Sequence, residues 1–280
     1  MATPVPRALS ITGHQINSSM SNSIVAAMKW IAPHGIARHY ARANERREIQ
    51  RQSERQRMLF RHFVPPASVV FDIGANIGNR IDALLNCGAT VVAVEPQPDC
   101  AAKLHASYDD RVTVIEAAVG DMPGKLPLHA SAPFDPVATL SPGFISSSQE
   151  SKRFGDQIWA RTIEVEVITL DSLVSRFGKP SFIKIDVEGF EYEALCGLSQ
   201  SVDVLSFEWT SDMPDRAKQC VDYLVRLGMP FFQFSFAESM LFSHRSSMDS
   251  VTAKQLVDLL GEEKALWGDI YASLKPLSRV

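Results

Sequence analysis

The chain has 280 residues, of which 45% are hydrophobic and 21% charged, and its formal net charge is -4. That content can bury one sizeable core plus an arm, and the charge balance gives no global pull toward nucleic acid. The four cysteines, Cys87, Cys100, Cys196 and Cys220, form no C-x-x-C pair, and the seven histidines show no His-x-x-x-His spacing. Zinc signatures are therefore lacking, and a reducing compartment is the natural reading. There is no apolar run of about 18 residues, and Met1 to Arg7 does not read as a signal peptide, so a cytoplasmic location is expected.

From the front, Ser23 to Ile36 is a short apolar stretch broken by Lys29 and by Pro33-His34-Gly35. Arginines then recur from Arg38 to Arg61 in a segment free of Gly and Pro, with Glu45, Glu48 and Glu54 at pairing distance, which is a helix pattern. One reading is a solvated helix packed through Ile49, Met58, Leu59 and Phe63. The other is a basic arm making peripheral contact with an anionic membrane. No aromatic stacking platform accompanies the arginines, so nucleic acid is not the expected partner. Residues 1–64 are read as a helical, Arg-rich extension.

After Pro65 the pattern alternates as βαβ units do, which calls for an α/β fold with a largely parallel sheet. Strands are expected at Val69 to Ile73, Thr90 to Val94, Val112 to Ala117, Phe182 to Asp186, Val204 to Glu208, Pro230 to Ser235 and Gly268 to Ala272. Helices are expected at Ile77 to Asn86, Pro98 to Ser107, Phe190 to Leu198, Asp215 to Leu227 and Val251 to Leu266. Residues 121–160 break the rhythm. Asp121 to Trp159 is rich in Pro, Ser and Gly and reads as a lid or substrate wall. Thr162 to Leu170 alternates as an extra strand, and Leu170 to Phe177 reads as a helix. Residues 65–280 thus form one expected domain.

Two segments carry the chemistry. Val69-Val70-Phe71-Asp72-Ile73-Gly74-Ala75-Asn76-Ile77-Gly78 is an apolar strand ending in an acid and a small-residue turn. Gly74 and Gly78 let the backbone bend close to a ligand, and Asn76 tolerates positive φ better than other non-glycine residues. A dinucleotide fingerprint would need glycines at 74, 76 and 79, and both 76 and 79 are Asn, so NAD is disfavoured. The next strand ends in Glu95, where an acid accepts the hydroxyls of a ribose. The second segment, Ile183-Lys184-Ile185-Asp186-Val187-Glu188-Gly189-Phe190-Glu191, delivers carboxylates beyond another strand end, into the same crevice.

The pair of segments, Asp-x-Gly-Ala-Asn-x-Gly and Lys-x-Asp-x-Glu-Gly, resembles the FkbM family of S-adenosylmethionine (SAM) dependent methyltransferases. The resemblance runs from roughly Pro65 to Phe236 and could extend to the last strand near Ile270. It implies a seven-stranded Rossmann-like class I methyltransferase sheet with helices on both faces and an antiparallel last strand. It also implies SAM as cofactor, with Asp72 and Gly74 on its methionine side, Asn76 and Gly78 in the loop, and Glu95 at the ribose. The run from Glu116 to Asp121, including Ala118, would lie at the adenine; Asp121 is equally a plain turn residue.

Methyl transfer to a hydroxyl needs in-line alignment and removal of a proton, so carboxylates near the donor are expected. Asp186 and Glu188 are the candidate catalytic residues. Lys184 shares a strand face with Asp186 and needs a partner inside a sheet, so an ion pair that orients Asp186 is an open alternative. Glu188 could instead cap the helix beginning at Phe190. Asp186, Glu188 and Glu208 could also hold Mg²⁺, without reaching a metal signature. His129 and His244 read as surface residues.

The fourth strand runs into Asp-Val-Glu-Gly, not the Asn/Asp-Pro-Pro-Tyr/Phe loop of many base-amine methyltransferases, which tilts the reading toward oxygen. The family resemblance implies O-methylation of a sugar, surface glycan or secondary metabolite, with a small-molecule or glycan acceptor. An N-methyltransferase of a small amine or protein, and a non-catalytic SAM-binding module, remain as alternatives.

Overall fold

The structure is a computed structural model that describes residues 48–263 and 265–278. The chain divides into two units, residues 1–51 and 52–280, and nearly all of the described residues belong to the second. The apolar stretch from Ser23 and the arginines before Glu48 lie outside the described residues.

In the second unit, residues 52–60 form helix α1. There follow β1 (Val69–Ile73), α2 (Ile81–Asn86), β2 (Thr90–Val94), α3 (Pro98–Tyr108), β3 (Val112–Ile115), β4 (Ala118–Val119), β5 (Gly124–Ala130), α4 (Pro142–Ser151) and β6 (Arg161–Ile168). The chain continues through α5 (Leu170–Phe177), β7 (Phe182–Ile185), α6 (Glu191–Cys196), β8 (Val204–Thr210), α7 (Pro214–Arg226), β9 (Phe231–Phe236), α8 (Ser250–Gly261) and β10 (Trp267–Ser273).

Seven strands make one sheet in the order β3-β2-β1-β7-β8-β10-β9. β1 lies between β2 and β7, parallel to both, while β10 inserts antiparallel between β8 and β9. The strand order reverses between β1 and β7, and ligands bind beyond the strand ends at such a switch point.

Side chains alternate across the sheet, so each strand feeds two cores. Phe71, Ile73, Ile183, Ile185, Leu205 and Phe207 pack with α5, α6, α7 and α8. Val70, Val91, Phe182, Val204 and Tyr271 pack on the opposite face with α1 and α2. The two-residue period then places Asp72, Lys184, Ser206 and Asp269 on this second face, extending the rows of Val70, Phe182, Val204 and Tyr271. The carboxyl end of that face is where apolar packing gives way to charge.

Helix α1 and the turn after it belong to this core. Leu59, Phe60, Phe63 and Val64 are buried, and Phe63 meets Phe182 and Tyr271 with ring centroids 4.9 and 5.9 Å apart. Met58, expected to pack, is half exposed. The compact unit therefore starts well before the Val64/Pro65 boundary read from the sequence.

Other boundaries shift for local reasons. The strand expected over Val112 to Ala117 ends at Ile115, and Ala118–Val119 joins a separate three-stranded sheet, β4-β6-β5. Within the expected wall, Gly124–Ala130 is a strand paired antiparallel with β6, and Pro142–Ser151 is a helix whose Ser141 side chain accepts from Phe144 N. α2 begins at Ile81 rather than Ile77, because residues 77–80 continue the turn that follows β1.

Candidate active site

The turn after β1 is held in place by its own conformation. Gly74, Asn76 and Gly78 all have positive φ, at 79°, 48° and 94°. A Cβ on Gly74 would overlap the Asp186 carbonyl oxygen, so only glycine lets the two motifs meet. Glu95, buried at the end of β2, receives this turn: its carboxylate accepts from Asn76 N at 2.7 Å and from Gln97 N at 2.8 Å. Each carboxylate oxygen retains a lone pair for a further donor. Burial pushes Glu95 up to about 7, against the lowering effect of those two amides.

Asp72 points into the same cleft from β1. It is 2% exposed, and its Oδ2 has no hydrogen-bond partner. Burial raises its carboxyl to about 6, partly offset by Lys184 and Arg80. An orphaned buried carboxylate oxygen calls for a cationic or hydrogen-bond-donating ligand. The cleft around it has a volume of about 470 Å³, and Ala117, Ala118 and Val119 supply an apolar ledge.

Beyond Asp72 lies a charged cluster. Lys184 Nζ donates to Asp186 Oδ2 at 2.9 Å and to Asp269 Oδ1 at 3.2 Å. Burial pushes the Asp186 carboxyl up, but the Lys184 ammonium outweighs it and holds Asp186 below the usual carboxylate range. Arg80 closes the cluster with a bidentate pair to Glu238, at 2.8 and 2.9 Å.

Glu188 and Glu208 are half-buried and line the cleft. Carboxylate oxygens of Asp186, Glu188 and Glu208 lie within 4.8 Å of one another. Burial and then the neighbouring carboxylates push Glu188 and Glu208 well above the usual range. Among the described residues this is the one grouping of acids, cysteines or histidines with metal-ligand spacing.

Glu188 stands in the left-handed region at φ 52°, followed by Gly189 at 86°, and Thr139 Oγ1 donates to the Glu188 carbonyl at 2.6 Å. Glu188 is not a helix cap. Helix α6 starts at Glu191 with no side-chain cap, and it is Glu191 Oε1 that accepts from Val187 N and Gly189 N.

The segment expected as a wall is tied to the turn after β1 and to Gln97 beyond the end of β2. Gln97 Nε2 donates to Asp135 O at 2.9 Å, Asp135 N donates to Gln97 Oε1 at 3.0 Å, and Asn76 Nδ2 reaches the same carbonyl at 3.3 Å. The Asp135 carboxylate in turn accepts from Ser131 N and Val137 N. Arg153, paired with Asp212 at 3.3 Å, and Phe154 complete the lining on this side.

Of the residues singled out in the sequence, Asp72, Gly74, Asn76, Glu95, Ala118, Asp186 and Glu188 line one cleft. Two do not. Gly78 sits under Tyr108, whose hydroxyl donates to its carbonyl, so its role is in packing the turn. Asp121 is exposed in a turn and is absent from the lining. His129 and His244 also lie outside the cleft. Arg80, Asp135, Glu238 and Asp269 line it but were not singled out. For Asp269 the signal was present: an acid inside an otherwise apolar strand needs a buried cation.

A mostly parallel seven-stranded sheet with one antiparallel strand, a glycine turn after the first strand and an acid after the second define a Rossmann-like methyltransferase fold. Residues 72–246 match the family model for the methyltransferase FkbM domain, and the chain belongs to that family. The 31-O-demethyl-FK506 methyltransferase FkbM of Streptomyces tacrolimicus is 30% identical over 198 residues, covering 60% of this chain and 75% of that protein. The hexuronic acid methyltransferase AglP of Haloferax volcanii is 29% identical over 145 residues, covering 50% of this chain and 53% of that protein. The matched part is thus about half the length of the haloarchaeal relative. Among solved structures, the precorrin-6y C5,15-methyltransferase of Geobacter metallireducens aligns with a TM-score of 0.42 and 13% identity, covering 79% of this chain and 87% of that one.

Proposed function

We propose that this chain methylates a hydroxyl of a sugar, surface glycan or secondary metabolite, using SAM as the donor. The observation that carries the reading is the placement of Asp186 beside Asp72 and Glu95 in one cleft: a carboxylate held by Lys184 stands where the donor side of the site ends. The activities for which the two relatives are named, on an FK506 oxygen and on a hexuronic acid, favour oxygen over nitrogen.

SAM supplies a methyl group made electrophilic by its sulfonium. The residues present suit it. Asp72 Oδ2 would accept from the ammonium of its methionine portion, Glu95 from the ribose hydroxyls, and Ala117 to Val119 would face the purine. Asp186 would hold the acceptor hydroxyl, taking its hydrogen bond and then its proton as the methyl arrives, or passing the proton to Glu188 or Glu208. Burial and the neighbouring carboxylates raise both of those carboxyls well above the usual range, so each holds a proton more tightly than Asp186 does.

A second reading of the three carboxylates is a hard divalent cation such as Mg²⁺, favoured by their all-oxygen donor set and mutual proximity. It would neutralise their repulsion and orient the acceptor. Removing metal with a chelator, then restoring Mg²⁺, separates the two: proton uptake by Glu188 or Glu208 survives chelation.

The reaction belongs in a reducing compartment, on the strength of four free cysteines. No helix among the described residues is long and apolar enough to cross a membrane. Contact of the Arg-rich segment with an anionic membrane stays within this proposal.

The deciding experiment is a mass spectrum of glycan and metabolite extracts incubated with the protein and isotope-labelled SAM. A labelled methyl ether supports the reading. A labelled amine moves it to N-methylation, and SAM binding with no labelled product in any extract moves it to a binding module.

A further inference from the structure

Lys184 starts on β7 and ends two strands away. Its register partner on β8 is Ser206, and its stem reaches past that strand to Asp269 on β10. Asp269 itself lies opposite Glu208 on β8 and Ser235 on β9, so its carboxylate is mounted on an interior strand with neighbours on both sides.

The two ends of the Lys184 bridge differ in kind. Lys184 and Asp269 side chains are 3% and 6% exposed, whereas Asp186 is 30% exposed and faces the cleft. One end is a dry anchor. The other is the working carboxylate.

A buried Lys–Asp pair is weak evidence for stability, since its desolvation offsets much of its attraction and an apolar pair would pack as well. Its use here is directional. A lysine stem is flexible, and the unpartnered Asp72 Oδ2 stands near the ammonium as a competing destination. Fixing the ammonium at Asp269 decides between them.

We propose that Asp269 is a positioning residue for methyl transfer: by fixing the Lys184 ammonium across β8, it fixes the Asp186 carboxylate against the acceptor. This rests on the reading that Asp186 serves the chemical step. Asp269 lies beyond the residues 72–246 matched by the family model, so neither motif includes it.

The test uses the full chain, labelled SAM and the extract component that the unaltered protein methylates. Asp269→Asn should lower kcat by about tenfold or more, while KM for the acceptor and affinity for S-adenosylhomocysteine change less than about threefold. Asp269→Glu, which restores the charge, should recover part of the lost kcat. Unchanged kcat in Asp269→Asn overturns the proposal, as does a parallel fall of kcat, S-adenosylhomocysteine affinity and melting temperature, which marks a residue of the fold. If Asp269→Asn does not fold, Lys184→Met with Asp269→Asn removes both charges together, and wild-type kcat in that pair overturns it equally. An unaltered protein that labels no acceptor sinks both readings; an active protein with an equally active Asp269→Asn sinks this one alone.

Discussion

Gly74 and Asp186, more than a hundred residues apart in sequence, meet backbone to backbone: the Gly74 Cα faces the Asp186 carbonyl, and Asp186 N donates to Ile73 O at 2.9 Å. The cofactor turn and the carboxylate turn are therefore one joint. Gly74→Ala would drive a methyl into that carbonyl at φ 79°, combining overpacking with a disfavoured backbone, at a cost of about 2 kcal/mol or more. Calorimetry should show S-adenosylhomocysteine binding lost or severely weakened, with a lower melting temperature. Retained binding would mean that the joint yields.

Glu95 organises the donor end, since both its carboxylate oxygens already hold loop amides. If Glu95 receives the ribose as proposed, Glu95→Ala removes that acceptor and frees Asn76 N and Gln97 N together. Affinity for S-adenosylhomocysteine should fall roughly tenfold to a hundredfold, from about 1.5 to 3 kcal/mol. Unaltered affinity would take Glu95 out of the site.

Asp186→Asn keeps the shape and removes the charge that Lys184 holds. Turnover should fall about a hundredfold or more while S-adenosylhomocysteine affinity changes little. Equal losses in both would assign Asp186 to donor binding instead.

The ligand-free protein should gain thermal stability as pH falls from about 7 to about 5. Glu95 and Glu191 are raised to about 7 and Asp72 to about 6 by burial. An acid with a raised folded pKa binds more protons folded than unfolded between its two values, so stability falls as pH rises through that window. Melting temperature followed across it should slope downward with pH, and Glu95→Gln should flatten part of the slope.

A chain beginning at Gln52 should fold and bind S-adenosylhomocysteine, and one beginning at Pro65 should not. The difference is Leu59, Phe60, Phe63 and Val64, all buried against the sheet. Phe60→Ala alone should cost about 3 to 5 kcal/mol. Circular dichroism and binding on the two chains decide it.

The parallel strands were legible because β1, β2 and β7 are short apolar runs bounded by turn residues, and the positive φ at Gly74 and Asn76 followed from residue type. β5 was not, because Gly124 and Pro127 argue against a strand; it is an edge strand, where the missing amide of Pro127 is tolerated. The site was legible only where one segment carries it. Asp72 and Glu95 end neighbouring strands, but Asp135 reaches the cleft through long-range packing that no local spacing encodes, and the acid at 269 signals a buried cation without saying which. The capping alternative for Glu188 is not taken up, because a left-handed pair at 188 and 189 turns the chain before the helix begins, and Glu191 accepts the amides of Val187 and Gly189 instead.

Gln97 grips both backbone groups of Asp135 as an adjacent strand would, and Asn76 grips the same carbonyl. Asp135 is thus held by Gln97 and by the turn after β1, while Leu140, Arg153 and Phe154, further along the same segment, also line the cleft. If that stretch walls the acceptor, exchanging it should change which acceptor is admitted and leave the contacts of Glu95 as they are, so one transfer chemistry would be refitted to another acceptor by a single length of chain.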